Sequence, residues 1–428
     1  MSVIFDWLLI IVSTFMTIKS FNRIINNRNS SLANYIVLVV YVFCCIPILF
    51  NYVLGIPEYN TIYWYKCFCA PMNNHVVGAI YDIYILLCIV LLYIYARYFD
   101  IYVSNKKELV HTRSDFLVNN YLGSVVIISS PLLYILITGN LSAYSIYGIS
   151  KDRGIDSNQY TLVLNMLVLV SIYVFCEIFF KSKLTKYKIL MLLLYSLIIA
   201  WIQGKRFIIA LMALIYFFYI SKSKLEKKQR KRLKKGVPII FWGLVCFFYF
   251  YLVVVRPLSN TGFQSVYEML RVDLGRDDVI KFVIYKTLFQ DEKIVDYPGQ
   301  TFLSTFFAFI PRSIWPSKPY PHYRYLTSAI LNLPITSLPA GTTPSWYEMC
   351  IANFGDWGFG IGIITIPLFC MCLDRIKVIS EQMIGLILIT VLLTQSMDAY
   401  LIFVLVYIVQ VLIRCLVRKK RVRLIWRK

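Results

Sequence analysis

The chain has 428 residues, 59% of them apolar and only 15% charged, with a mean hydropathy of +0.67. Soluble domains normally carry about a quarter charged residues, so this composition excludes a single soluble domain and points to an all-α integral membrane protein. The formal net charge of +22 does not indicate nucleic acid: the densest basic run, residues 222–235, lies between two apolar stretches, where cations anchor a membrane protein on its cytoplasmic side.

Apolar runs predict membrane-spanning helices at 3–18, 33–55, 76–96, 121–139, 161–180, 187–203, 207–221, 237–255, 356–373, 383–397 and 399–415. That is about eleven, within a range of ten to twelve, each near the ~20 residues needed to cross ~30 Å of hydrocarbon. The first run lacks a basic segment before it and is followed by Lys19 and Arg23, which argues against a cleavable signal peptide. The run at 207–221 is short and follows a tight turn at Gly204, Lys205 and Arg206, so 187–221 is expected to form a helical hairpin. Asp82 and Glu177 fall inside predicted spans, where acids are functional by default.

Charge orients this map. With the N-terminus outside, the segments 19–32, 97–120, 181–186, 222–236, 374–382 and the tail after 413 face the cytoplasm and hold 29 Lys and Arg. The outer segments hold 14, nine of them in the single long loop 256–355, where the positive-inside rule loses force. The expected organisation is therefore helices 1–8 in residues 1–255, a large periplasmic loop in 256–355, and helices 9–11 with a basic cytoplasmic tail in 356–428. The location it implies is a bacterial inner membrane. Cys67, Cys69 and Cys350 face outward on this map; a disulfide from Cys350 to either of the others is open, and a zinc site lacks a fourth ligand.

A connection of roughly a hundred residues is far longer than ordinary loops and is usually functional. Residues 264–290 mix apolar and charged positions at helical spacing, with a break at Gly275, and predict amphipathic helices. Residues 299–310 form a short apolar run, expected to be interfacial or re-entrant. Residues 311–326 carry four prolines, several aromatics, and Arg312, Lys318, His322 and Arg324.

This inventory suits glycosyl transfer from a lipid diphosphate. Breaking a sugar–phosphate bond builds negative charge on the leaving diphosphate, which fixed cations stabilise, and the attacking hydroxyl needs a base. The cations are Lys205, Arg206, Arg256, Arg271, Arg276, Arg312, Lys318 and Arg324; the candidate bases are His322, Glu348, Asp273 and Asp398. No D-x-D, Walker, H-E-x-x-H or G-x-S-x-G motif is present, so neither nucleotide nor metal chemistry is signalled and no cofactor is expected. Each residue also has a plainer reading. Arg206 can anchor a helix at the interface, Arg271 and Arg276 can form ion pairs on a solvated helix face, His322 can be structural, and Glu348 can cap a helix.

The chain resembles the Wzy-type O-antigen and capsular repeat-unit polymerases. The resemblance rests on Gly204, Lys205 and Arg206 at an outer hairpin; on Pro311, Arg312, Trp315, Pro316, Ser317, Lys318 and Pro319; and on Gly341, Thr342, Thr343, Pro344, Ser345, Glu348, Asn353, Phe354, Gly355, Asp356, Trp357 and Gly358 leading into a span. It implies a GT-C-like helical fold shared with the O-antigen ligases. It also implies metal-independent transfer of a growing glycan from undecaprenyl diphosphate to a lipid-linked repeat unit at the periplasmic face. His322, Glu348 and Arg312 are then the expected catalytic residues, and Lys205, Arg206, Arg256, Arg271, Arg276, Lys318 and Arg324 the expected diphosphate contacts. Implied partners are the lipid-linked oligosaccharide, the bilayer and a chain-length regulator. One departure is the short outer segment 140–160, whose only cations are Lys151 and Arg153, so a two-loop capture scheme does not carry over. The alternatives are a glycan ligase and a lipid-linked oligosaccharide flippase or other transporter.

Overall fold

A computed structural model describes residues 2–59, 63–103, 121–139, 144, 158–180, 186–203, 206–223, scattered positions between 230 and 253, 263–307, 310–338 and 341–395. The described residues are all-helical, without strands. In chain order the helices are α1 (Ser2–Asn26), α2 (Leu32–Val40), α3 (Ile46–Leu54), α4 (Cys69–Asn73), α5 (His75–Tyr102), α6 (Tyr121–Ile137), α7 (Asn158–Phe179), α8 (Lys186–Gln203) and α9 (Arg206–Lys222). They continue with α10 (Val266–Leu274), α11 (Asp277–Phe289), α12 (Gln300–Phe306), α13 (His322–Leu331), α14 (Trp346–Phe354), α15 (Asp356–Asp374) and α16 (Ile379–Thr394). A 3-10 turn, Tyr63–Phe68, precedes α4. The runs expected at 237–255 and 399–415 lie outside the described residues, apart from scattered positions in the first.

Among the described residues four helices are long and apolar enough to cross a membrane: Val3–Asn26, Leu32–Leu54, His75–Tyr102 and Asp356–Asp374. Shorter apolar helices lie within α6, α7, α8, α9 and α16. Large apolar side chains such as Ile11, Ile94, Leu122, Ile137 and Leu197 stand exposed on the outsides of these helices, as expected where lipid rather than water is the neighbour. The chain is a membrane protein on these grounds.

The rod Leu32–Leu54 is central, packing against α1, α5, α15 and α16. Its start is fixed by polar bonds. The Ser31 side chain caps Ala33 N, Asp374 accepts from Ser31 Oγ and from Leu32 N, and Asp100 accepts from Ser31 N and Asn34 Nδ2. These bonds satisfy helix donors that would otherwise be orphaned and tie α2, α5 and α15 together at what we call the Ser31 end. The opposite, Gly55 end carries α4, α14 and the starts of α5 and α15.

Midway along the rod the helix is broken by a π turn, Tyr41–Cys45. Pro47, at the start of α3, has no N–H to give to the carbonyl four residues back, which is Phe43. That carbonyl accepts instead from Arg276 N at 3.0 Å, and Cys44 O accepts from Tyr81 Oη at 2.8 Å. Arg276 is the tip of a helical hairpin. Helix α10 starts at the Gly55 end, where Tyr267 Oη donates to Gly55 O at 2.6 Å, and descends to the middle of the rod. Helix α11 climbs back to pack on α4, α5 and α14. Gly275 separates the two helices as expected; a Cβ there would run into the Arg271 side chain and its own helix carbonyl.

Candidate functional site

Pro321, with φ −59°, sets up α13 and makes His322 its first helical residue. Glu348 is the third residue of α14, where its Oε1 accepts from Ser345 N at 3.2 Å and closes the helix start. The two starts face each other. His322 Nε2 lies 3.0 Å from both carboxylate oxygens of Glu348, and the two side chains are 1% and 0% exposed. A carboxylate only accepts, so the imidazole donates through Nε2. Nδ1 is buried without a hydrogen-bond partner and is the atom left to take a proton. Helix α14 is held in place by Asn353, which bonds Thr301 of α12 through both its amide oxygen and its amide nitrogen.

The prolines before α13 fold the chain into successive turns: Ile314 N and Trp315 N donate to Pro311 O, Lys318 N to Trp315 O, and Arg324 N to Pro321 O. These turns bring two cations onto one ring. The Arg312 guanidinium lies 3.9 Å from the centroid of Tyr320, and Arg324 lies 5.3 Å from it. Arg312 Nη2 donates to Pro319 O at 3.1 Å, and Lys318 Nζ donates to Ile310 O at 2.9 Å. Among the described residues neither Arg312 nor Arg324 is paired with a carboxylate. Beside them Phe306 and Ile314 are 70% and 75% exposed, and Phe307 meets Trp315 edge-on at 6.0 Å.

Arg271 and Arg276 are elsewhere. Arg271 Nη2 lies 2.6 Å from Asp277, both side chains fully buried, and its Nε donates to Asn51 Oδ1 at 2.9 Å. Arg276 donates through Nη2 to Thr394 O at 2.9 Å and through Nη1 to Gly275 O at 2.7 Å. The solvated face expected for this pair is a buried one, because the hairpin enters the helical bundle instead of lying on it. Asp278 is buried at the same tip. Lys281 lies 4.0 Å from Asp277 and 5.0 Å from the Tyr81 ring.

Arg206 opens α9; its side chain, Lys205, Arg256 and Asp398 lie outside the described residues. Cys67, Cys69 and Cys350 are free thiols. Among the described residues no three His, Cys, Asp or Glu side chains are grouped to hold a metal ion.

No family model, curated protein or solved structure matches this chain.

Sequence reasoning missed three things: the pairing of His322 with Glu348, the role of Tyr320 as the surface on which two arginines meet, and the depth of the hairpin. One signal for the last was present. Pro47 inside a predicted span leaves the Phe43 carbonyl without its helical donor, and some other group must supply one.

Proposed function

We propose that the protein is a membrane glycosyltransferase that polymerises lipid-linked oligosaccharide repeat units, of the Wzy type. In this reading about eleven helices cross the bacterial inner membrane, residues 256–355 are the periplasmic loop, from which the hairpin 266–289 dips back among the helices, and the C-terminal tail is cytoplasmic. Arg23, Arg28, Lys222, Arg375 and Lys377 cluster toward the Ser31 end, which favours that end as the cytoplasmic one.

The observation that carries the proposal is the juxtaposition on and just before α13. A histidine held by a carboxylate begins the helix, and two carboxylate-free guanidinium groups share a tyrosine ring beside exposed apolar side chains. A polyprenyl diphosphate has the same two-part chemistry. Its chain matches Phe306, Phe307 and Ile314, and its phosphates match Arg312 and Arg324, with Lys318 close by. The acceptor hydroxyl gives its proton to His322 Nδ1 as it forms the new bond to the sugar carbon. The bond from that carbon to the phosphate oxygen breaks, and the arginines receive the diphosphate's growing charge. Glu348 orients the imidazole and steadies the imidazolium.

The test is conversion of a lipid-linked repeat unit to polymer by the purified protein in vesicles. Polymer that depends on His322, Arg312 and Arg324 is the expected result. Wild-type polymer yield from an Arg312→Gln, Arg324→Gln double variant would end the proposal, and capping of a lipid A core in place of chain extension would make the protein a ligase.

A different observation favours a transporter as the second reading. If the rod Leu32–Leu54 crosses the membrane, the hairpin tip lies at mid-depth, with Arg271, Arg276, Asp277 and Asp278 buried there. Broken helices and charges at that depth are features of transporters. Translocation of a fluorescent lipid-linked oligosaccharide across vesicles without polymer formation would select that reading.

A further inference from the structure

A second concave site lies away from His322. Between the 3-10 turn with α4 on one side and α11 on the other is a cavity of about 430 Å³, within the roughly 300–1,000 Å³ of small-molecule sites. Its lining follows from helical spacing. Tyr285, one turn from Phe282 on α11, presents aromatic surface; Phe282 is buried behind it and meets Phe68 edge-on at 5.7 Å. Cys67, Cys69 and Ala70 add small side chains, and Lys66, Asn73, Lys286 and Gln290 supply the polar groups.

We infer that this cavity is a saccharide subsite and that its preferred ligand is an acidic sugar unit of the acceptor glycan. The inference rests on the glycosyl-transfer reading for the identity of the glycan. Three features select the ligand. An aromatic and largely apolar wall suits the C–H face of a pyranose ring. Two carboxamides suit hydroxyl groups, because each both donates and accepts. Every charged side chain in the lining is cationic, so a sugar carboxylate is met by opposite charge. Lys286 is already held by Glu292, whereas Lys66 is exposed and has no carboxylate partner among the described residues; Lys66 is thus the cation that reads the acid. A phosphate ligand would instead find no arginine and an apolar wall.

The position fits an acceptor. The 3-10 turn that carries Lys66 also packs on α13, which His322 begins, and α11 packs on α14, which carries Glu348. The cavity and the His322–Glu348 pair are therefore built on the same supports at the Gly55 end, as needed if one bound chain extends from one to the other.

The experiment uses the full-length protein in nanodiscs and two lipid-free probes, a glucuronate-containing disaccharide and its glucose counterpart, with binding read by saturation-transfer NMR. The acid is expected to bind about tenfold more tightly, equivalent to about 1.4 kcal/mol. Lys66→Gln removes the preference and leaves the neutral probe unaffected; its exposed side chain makes the variant safe for folding. Ala70→Trp, which fills the cavity from its lining, abolishes binding of both. Equal binding of the two probes by the wild type, or binding that survives Ala70→Trp in a protein with an unchanged unfolding midpoint, overturns the subsite. Polymer formation is scored separately. If His322→Ala stops polymerisation while the probes ignore the cavity variants, the subsite falls and the transferase stands. If the probes obey the cavity variants and no polymer ever forms, the acceptor assignment falls with the transferase.

Discussion

Residues 263–290 and residues 310–332 both fall within the long stretch 256–355, and each carries a pair of arginines. In the first region Arg271 and Arg276 are buried, and most of their donors go to Asp277, Asn51, Thr394 O and Gly275 O, with Arg271 Nη1 left buried without a hydrogen bond. In the second, Arg312 and Arg324 rest on Tyr320 and meet no carboxylate among the described residues. A buried guanidinium must have its partners supplied by the protein, because desolvation is otherwise prohibitive. One left at the surface on an aromatic face keeps hydrogen-bonding capacity for an incoming anion. Arginines of similar sequence appearance thus divide into those that hold the fold and those that remain available to a ligand.

Substitutions test this division most sharply. On the proposed mechanism His322→Ala should lower the polymerisation rate about 10²–10⁴-fold, the usual worth of a general base; it also leaves the Glu348 carboxylate buried without its partner, so a lower unfolding midpoint accompanies the loss, and His322→Gln, which can still donate to Glu348, should lose the rate with a smaller thermal change. Arg271→Met should act on stability alone. Removing one partner of a buried pair leaves Asp277 uncompensated and should cost about 3–5 kcal/mol of stability, seen as a large drop in thermal midpoint. Arg312→Met should change stability by no more than about 0.5 kcal/mol but lower the polymerisation rate about 10²-fold. A thermal loss at Arg312 equal to that at Arg271 would erase the contrast.

The smallest effect is expected for Pro47→Ala. It restores an N–H that competes with Arg276 N for the Phe43 carbonyl, so the amide at the hairpin tip should exchange faster, by about 1 kcal/mol in opening free energy. Unchanged exchange at Arg276 would mean that the break in the rod does not hold the hairpin.

Much of the helical layout was legible in the apolar runs and breakers. The run expected at 121–139 is Tyr121–Ile137, that at 187–203 is Lys186–Gln203, that at 356–373 is Asp356–Asp374, and α10 stops at the residue before Gly275. Hydrophobicity, glycine and proline act on the chain locally, so their consequences can be read locally. Helices α1 and α5 run on past the expected apolar spans ending at 18 and 96, to Asn26 and Tyr102, because a cation such as Lys19, Arg23 or Arg97 at the end of an apolar helix need not interrupt its backbone bonds. The candidate site was legible only as an inventory. Residue type marked His322, Glu348, Arg312 and Arg324, but spacing carried no information on which would meet. Which cations are buried and which are left open was decided by contacts over long separations: Arg276 with Phe43 and Thr394, Arg271 with Asn51, and His322 with Glu348. The first of those contacts exists because a proline frees a carbonyl in one helix and a hairpin far along the chain fills the gap. Local composition encodes each half of that fit, and only the packed structure joins them.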